Sequence, residues 1–317
     1  MGDTLRGNQN TLQTMKIAVT GANSSVGQSL LAHVAENTDL SDINAIAAVR
    51  SERAAASLPD SPRIAPRVIS YDDVGELAKT IEGVSCIVHL AGILIESRAS
   101  SYANANVAAT AAVVEACQKV GVRHIVLVSV LSASVNSTNG FLRSKGEAEE
   151  AVAESGISSS IIRTPILLGP STAGGNSLLR SALRGKVKLL GRGDHTMRPL
   201  DVDDLIQAIL KICRTQPEGV SVHELVGPES IPYRALVMRV AEMMERPLSI
   251  GTIPVWIAKL VAAVTSRMKG GGVTPTVIDV ITTSEVVEKN ADTEIGISLT
   301  PLSTTLRKLL TAKKQET

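Results

Sequence analysis

Gly21, Ser24 and Gly27 recur at a spacing of three within TGANSSVG, between the apolar run KIAVT at 16–20 and a helical pattern from about Val26 to Ala35. A strand that turns into a helix over small residues presents unpaired backbone N–H groups at a positive helix end, where an anion can dock. Gly21 permits the tight turn, and Gly27 lets the helix pack close to the sheet. Between them the N–H groups of Asn23, Ser24, Ser25 and Val26 can meet a pyrophosphate. The middle glycine of the G-x-x-G-x-x-G pattern is Ser24, so the weight rests on the strand before and the helix after. This is the outline of a dinucleotide site. The next apolar run, NAIAAVR, ends in Arg50 and is followed by Ser51, Glu52 and Arg53. A ribose diol is usually met here by a carboxylate and a 2′-phosphate by arginine. Arg50 and Arg53 therefore favour NADP(H) over NAD(H), with Glu52 the competing candidate.

Other reactive residues are sparse. The three cysteines, Cys86, Cys117 and Cys213, lie far apart without metal-ligand spacing and read as buried free thiols of a reducing compartment. Asp201, Asp203 and Asp204 could suggest a metal cluster, but they also suit a helix N-terminus, which the macrodipole favours. The latter is the expectation, and no metal is expected. Arg180, Arg184, Arg192 and Arg198 would form a diphosphate clamp only if they converge; a solvated helix face is the plainer reading.

These residues need a scaffold, and the pattern supplies one. Strands are expected at 16–20, to Arg50, at 67–70 (RVIS), 86–92 (CIVHLAG), 124–130 (HIVLVSV) and 158–164 (SSSIIRT). Helices are expected between them: from Asp73 as N-cap through Ile81, from about Ser100 to Lys119 with Gly121 as C-cap, and through Glu154. Repeated βα units with near-continuous apolar strands predict a doubly wound parallel α/β sheet of the Rossmann type. Beyond Gly169-Pro170 the regularity fades into helices near 177–184, 232–245, 253–268 and 302–312. The predicted division is a flexible extension at 1–14, a dinucleotide domain at 15–170 with 196–228, and a smaller, mostly helical lobe at 171–195 with 229–317. GlyGlyGly at 270–272 reads as a hinge or exposed loop.

The chain has 317 residues, 44% hydrophobic and 20% charged, with a net charge of +1. That balance is globular and offers no basic surface for nucleic acid. One Phe, one Trp and three Tyr leave a core of Ala, Val, Leu and Ile and no platform for base stacking. The longest apolar stretch, Ile253 to Val264, is broken by Lys259 and too short to span a bilayer. The expected setting is the cytoplasm, with membrane contact at most peripheral. The segment Pro254–Lys269, with Lys259, Arg267 and Lys269 near its ends, could lie on a membrane or a partner protein. A helix packed over the cofactor cleft is the expected arrangement.

TGANSSVG, VHLAG, NVAATAAVVEACQKVGVRHIVLVSV, SKGEAE, IIRTPILLGP and RPLDVDDL follow one another over roughly residues 15–230. As an ordered set they resemble the extended and atypical short-chain dehydrogenase/reductases, which include NAD-dependent epimerase/dehydratase-like proteins. The ending GISLTPLSTTLRKLL resembles members similar to the NADPH-binding accessory subunit of respiratory complex I. The resemblance implies a Tyr-x-x-x-Lys pair, in which the Lys holds the nicotinamide ribose and lowers the Tyr pKa for proton transfer. The matching stretch here is Phe141-Leu-Arg-Ser-Lys145: Lys145 is in place, and Phe141 replaces the Tyr. The family's hydroxyl that holds the substrate oxygen falls near Leu131, between Ser129 and Ser132. Lys145 itself, Tyr102 or His195 could stand in for the missing acid.

By the same resemblance Leu90, Ala91 and Gly92 line the adenosine, and Pro165 and Ile166 turn their backbone to the nicotinamide carboxamide. Thr164 stands where Pro is common, Ser70 where an adenine-contacting Asp is common, and Asn106 matches a helix Asn that pins the sheet. Three functions stay open. The first is a dinucleotide-binding protein whose cofactor is structural or regulatory. The second is a working oxidoreductase or epimerase on an unknown carbonyl or hydroxyl substrate. The third is a redox sensor whose partner contacts change with NADP(H) occupancy.

Overall fold

The computed structural model describes residues 14–269 and 272–315. Apart from Thr14 and Gly272, the extension expected at 1–14 and the loop at 270–272 lie outside them. The first half alternates as β1 (Met15–Thr20), α1 (Ser25–Glu36), β2 (Ile43–Val49), α2 (Glu52–Ala55), β3 (Ile64–Val68), α3 (Val74–Thr80), β4 (Cys86–His89), α4 (Ala109–Val120), β5 (His124–Val130), α5 (Gly140–Ala153) and β6 (Ser158–Thr164). The rest runs β7 (Leu167–Leu168), α6 (Ala173–Leu183), β8 (Lys186–Leu190), β9 (Thr196–Met197), β10 (Leu200–Asp201), α7 (Val202–Thr215), β11 (Val220–Glu224), β12 (Ile231–Pro232), α8 (Tyr233–Met243), β13 (Ser249–Ile253), α9 (Val255–Lys269), α10 (Pro275–Thr282), α11 (Asp292–Ile295) and α12 (Leu302–Gln315).

Seven strands form one sheet in the order β11-β6-β5-β4-β1-β2-β3, and each neighbouring pair is parallel. From β1 the chain builds outward to β3, then crosses back to β4 and builds the other way. Connections thus leave β1 and β4 in opposite directions, and a crevice opens at their carboxyl ends. One face of the sheet packs Ile17, Val19, Cys86 and Val88 against α1 and α7. The other packs Ala18, Ile87, Ile125 and Leu127 against α3 and α4. A third core joins Leu178 and Leu179 of α6, Leu236 and Val240 of α8, and Leu306 and Leu309 of α12.

Several boundaries differ from expectation for physical reasons. The third strand is Ile64–Val68 rather than 67–70, and it tolerates Pro66 because it lies at the sheet edge. The helix expected from Ser100 opens with a π-helical turn, Ala103–Ala108, before α4. The helix expected near 177–184 starts earlier, where the Thr172 hydroxyl accepts from Gly175 N–H at 3.0 Å. Asp73 and Gly121 cap α3 and α4 as expected, Gly121 in the left-handed region at φ 69°. Asp201 caps α7, accepting from Asp203 N–H, and Lys308 of α12 pairs with both Asp201 and Asp203. The cysteines are buried free thiols. Among the described residues no helix is long and apolar enough to cross a membrane.

Candidate dinucleotide site

At the end of β1 the chain bends through Gly21, whose φ of 68° suits glycine. A Cβ there would fall 2.8 Å from Ala91 N, and one at Gly27 would fall 2.5 Å from Ala22 O. Both glycines are therefore required by close backbone approach. Ser24, in the middle position, accepts from Gly27 N–H at 3.0 Å as the N-cap of α1. Its hydroxyl is turned back onto the helix. Ser25 and Val26 open α1, so no carbonyl of that helix precedes their N–H groups. Asn23 is exposed, and Ser25 and Val26 are half-buried, at the crevice mouth. This cradle fits a pyrophosphate.

Leu90 and Ala91 follow β4 half-buried and Gly92 is exposed, all beside this turn. Arg50 and Arg53 are exposed just beyond β2. Ser51 caps the short α2, accepting from Ala54 N–H, and Glu52 sits in that helix's first turn. Ser70 is exposed and accepts from Asp72 N–H at 3.1 Å, so its side chain shapes its own turn.

Beneath the crevice lies a buried polar chain that the sequence did not announce. Thr110 Oγ1 donates to the Asn106 carbonyl at 2.6 Å, so it accepts from His89 Nε2 at 3.0 Å. His89 Nδ1 is then an acceptor, 2.6 Å from Thr20 Oγ1. Burial, helped by the Lys145 charge, pushes the His89 pKa down to about 3. The ring is neutral at physiological pH. The Tyr71 ring meets His89 edge-on, and burial raises its phenol while Thr20 and Arg50 pull it back. Asn106 pins its surroundings as expected: Oδ1 accepts from Ile93 N–H at 2.8 Å, and Nδ2 donates to Ile93 O and to Ser144 Oγ.

Lys145 and Phe141 lie one turn apart on α5. Lys145 is buried and donates to the Val128 carbonyl at 3.0 Å, leaving two ammonium hydrogens for other acceptors. Burial lowers its pKa to about 8, against the raising effect of Glu149. That carboxylate is itself paired with Arg163 at 2.6 Å. Phe141 is 5% exposed and packs on the Tyr102 ring, centroids 5.8 Å apart. Ser129 Oγ is buried without a hydrogen-bond partner, and Ser132 adopts a left-handed φ of 62°.

Two of the candidate substitutes for the missing acid, Tyr102 and His195, have contacts of their own. Tyr102 donates its hydroxyl to the Leu94 carbonyl at 2.8 Å, and burial with the Glu96 charge raises its pKa. His195 stacks on Tyr233 at 5.5 Å, and burial lowers its pKa. Arg180, Arg184 and Arg192 are exposed, and Arg198 donates to the Gly227 carbonyl.

Pro165 and Ile166 are half-buried between β6 and β7. Ile166 departs from the expectation of a free backbone. Its carbonyl accepts from Leu200 N–H at 3.1 Å, and its own N–H is taken by Glu285. The same carboxylate accepts from Arg198 N–H at 2.6 Å. Thr164, in the usual proline position, donates to the Ser129 carbonyl at 3.2 Å.

A family model described as NAD(P)H-binding matches residues 21–191, from the first glycine of the turn to beyond Ile166. The chain belongs to the NAD(P)H-binding family. Among curated relatives of this NAD(P)H-binding chain, mitochondrial NADH dehydrogenase [ubiquinone] 1 alpha subcomplex subunit 9 of Arabidopsis thaliana is 26% identical, over 64% of this chain and 52% of that protein. The ceramide reductase of Caulobacter vibrioides is 27% identical over 45% of each. The chain thus spans about half the length of the curated relatives it matches. The dTDP-glucose 4,6-dehydratase DesIV of Streptomyces venezuelae, solved with NAD bound, has the same fold at a TM-score of 0.73 and 17% identity, over 95% of this chain and 97% of that one. The Rossmann fold implied by the resemblance to extended and atypical short-chain dehydrogenase/reductases is the fold found.

Proposed function

We propose that the chain is an NADP(H)-binding, atypical short-chain dehydrogenase/reductase-like protein whose dinucleotide is structural or regulatory. The observation that carries this reading is Phe141, a sealed aromatic ring one helical turn from Lys145 where proton transfer calls for a phenol. Losing a general acid costs about 10²–10⁴ in rate. Gly21, Asn23 to Gly27, Leu90 to Gly92 and Pro165 bind the dinucleotide, and Lys145 holds its inner ribose. Arg50 and Arg53 take a 2′-phosphate. When bound, the nicotinamide can give or accept a hydride; at position 141 no phenol accompanies it. The similarity to a complex I subunit supports a place within a larger assembly. The lobe at 171–195 with 229–317 is read as the partner-facing unit, supported by its own α6–α8–α12 core.

A second reading, an active reductase on a carbonyl or hydroxyl substrate, is favoured by the half-buried Tyr102 phenol beside Phe141 and by similarity to a ceramide reductase. Here Tyr102 would release Leu94 and donate in place of the missing residue. Calorimetric titration of nucleotide-stripped protein with NADPH and NADH, followed by turnover assays, separates the readings. Tight, NADPH-preferring binding without steady turnover is expected. Cofactor-dependent turnover abolished by Lys145→Ala would establish the second reading, and no binding of either nucleotide would sink both.

A further inference from the structure

Among the described residues, α9 gathers more exposed large apolar side chains than any other element. Trp256, Leu260 and Val264 recur every four residues and are 68%, 61% and 53% exposed; Ile257 and Val261 form a parallel row. The opposite side of the helix packs inward, with Ala262 buried and Lys259 paired to Asp279 of α10. In turn, α10 rests on the start of α5, where Asn139 donates to the Thr276 carbonyl two residues before Phe141. The expectation of a helix whose apolar face covers the cofactor cleft is therefore corrected. The face points outward, one layer away from the site.

We propose that this face docks the protein on an anionic lipid surface, with α9 lying in the plane of the membrane. Charge favours that occupant. From Pro247 to Ile278 the sequence has no Asp or Glu and carries Lys259, Arg267 and Lys269. Asp279 pairs with the first, and a stretch that holds cations and no carboxylate suits anionic headgroups. Length agrees: fifteen residues make a helix of about 22 Å, short of the roughly 30 Å hydrocarbon core. Such a helix can lie on a bilayer but cannot cross it. The chain's single tryptophan stands at the exposed start of the row, a residue type enriched at the membrane interface. Docking this way brings α10 and the start of α5 close to the lipid, so an apolar ligand could approach the Phe141 end of the crevice from the membrane.

The test uses the full chain with extruded phosphatidylcholine vesicles, with and without about one-third phosphatidylglycerol. Trp256, the sole tryptophan, reports directly. Its emission should shift to the blue, and the protein should co-sediment with the anionic vesicles only. Leu260→Glu should weaken partitioning about tenfold or more. Val286→Glu, at an 83% exposed site elsewhere, should not, and both variants should keep wild-type NADPH titrations. Equal behaviour with and without phosphatidylglycerol, an unshifted tryptophan, or a dimer in sedimentation that Leu260→Glu dissolves would overturn the proposal.

Discussion

The turn after β1 and the first two turns of α5 stand at the same crevice, yet they keep different things. At the turn, what the chain offers is backbone, and the residues there leave it room. Gly21 and Gly27 leave no room for a Cβ, and Ser24 is spent on capping its own helix. On α5, chemistry would be made by side chains. There Lys145 sets its ammonium on the Val128 carbonyl, while one turn earlier Phe141 is sealed against Tyr102. Binding and catalysis are separable in such a fold, because helix-end N–H groups survive the loss of a hydroxyl some distance away.

The sharpest way to break that contrast is to put a side chain into the turn. Gly21→Val must adopt a positive φ and meet Ala91 N, and should lower NADPH affinity on the order of 100-fold in calorimetry. Phe141→Tyr should change affinity by less than about threefold. Equal losses would mean that the two regions are one site energetically.

Lys145→Met probes the cost of the retained charge. A lysine whose folded pKa is about 8 rather than 10.5 destabilises the fold below both values and ceases to do so as pH rises between them. The variant should gain on the order of 1–3 kcal/mol at neutral pH, with the gain shrinking from pH 8 upward, while losing ribose affinity. Melting curves across that range decide it; a pH-independent gain would remove the buried ammonium as its cause.

Arg50→Glu should cut the NADPH over NADH preference about tenfold, and an unchanged ratio would shift the assignment to Arg53. The smallest effect concerns the nicotinamide end. Glu285→Gln replaces a charged acceptor at the Ile166 and Arg198 N–H groups with a weaker neutral one. Whole-dinucleotide affinity should rise about twofold to threefold, while an adenosine bisphosphate fragment binds as before. A gain shared by the fragment would locate the effect elsewhere.

How legible each part was follows from the range of its causes. β5 and β6 match their expected bounds: β5 is a short apolar run between turns, and β6 sets its Ile161–Ile162 pair among buried serines beside it. β11 was not anticipated: VSVHE is half exposed and becomes a strand only because β6 offers a parallel partner. The glycine turn was readable because strand, turn and helix are contiguous. The Glu285 contact joins residues 119 positions apart, and the Thr20–His89–Thr110 chain depends on three elements meeting. No local pattern encodes either. The α9 face was visible as amphipathic, but only the packing of α10 shows which side is covered.

The side chain of Asn106 has a kinetic consequence. Its amide holds Ile93, in the loop beyond Gly92, and Ser144, one residue before Lys145, with bonds to both at once. The loop beyond Gly92 and the helix carrying Lys145 are thereby fastened to one buried pin. Neither can swing open alone without orphaning an amide that has no water to turn to. Their excursions should be correlated, with the Ile93 amide and the first turns of α5 exchanging hydrogen through one shared opening. Nucleotide entry would then be gated by a single event rather than by two independent ones.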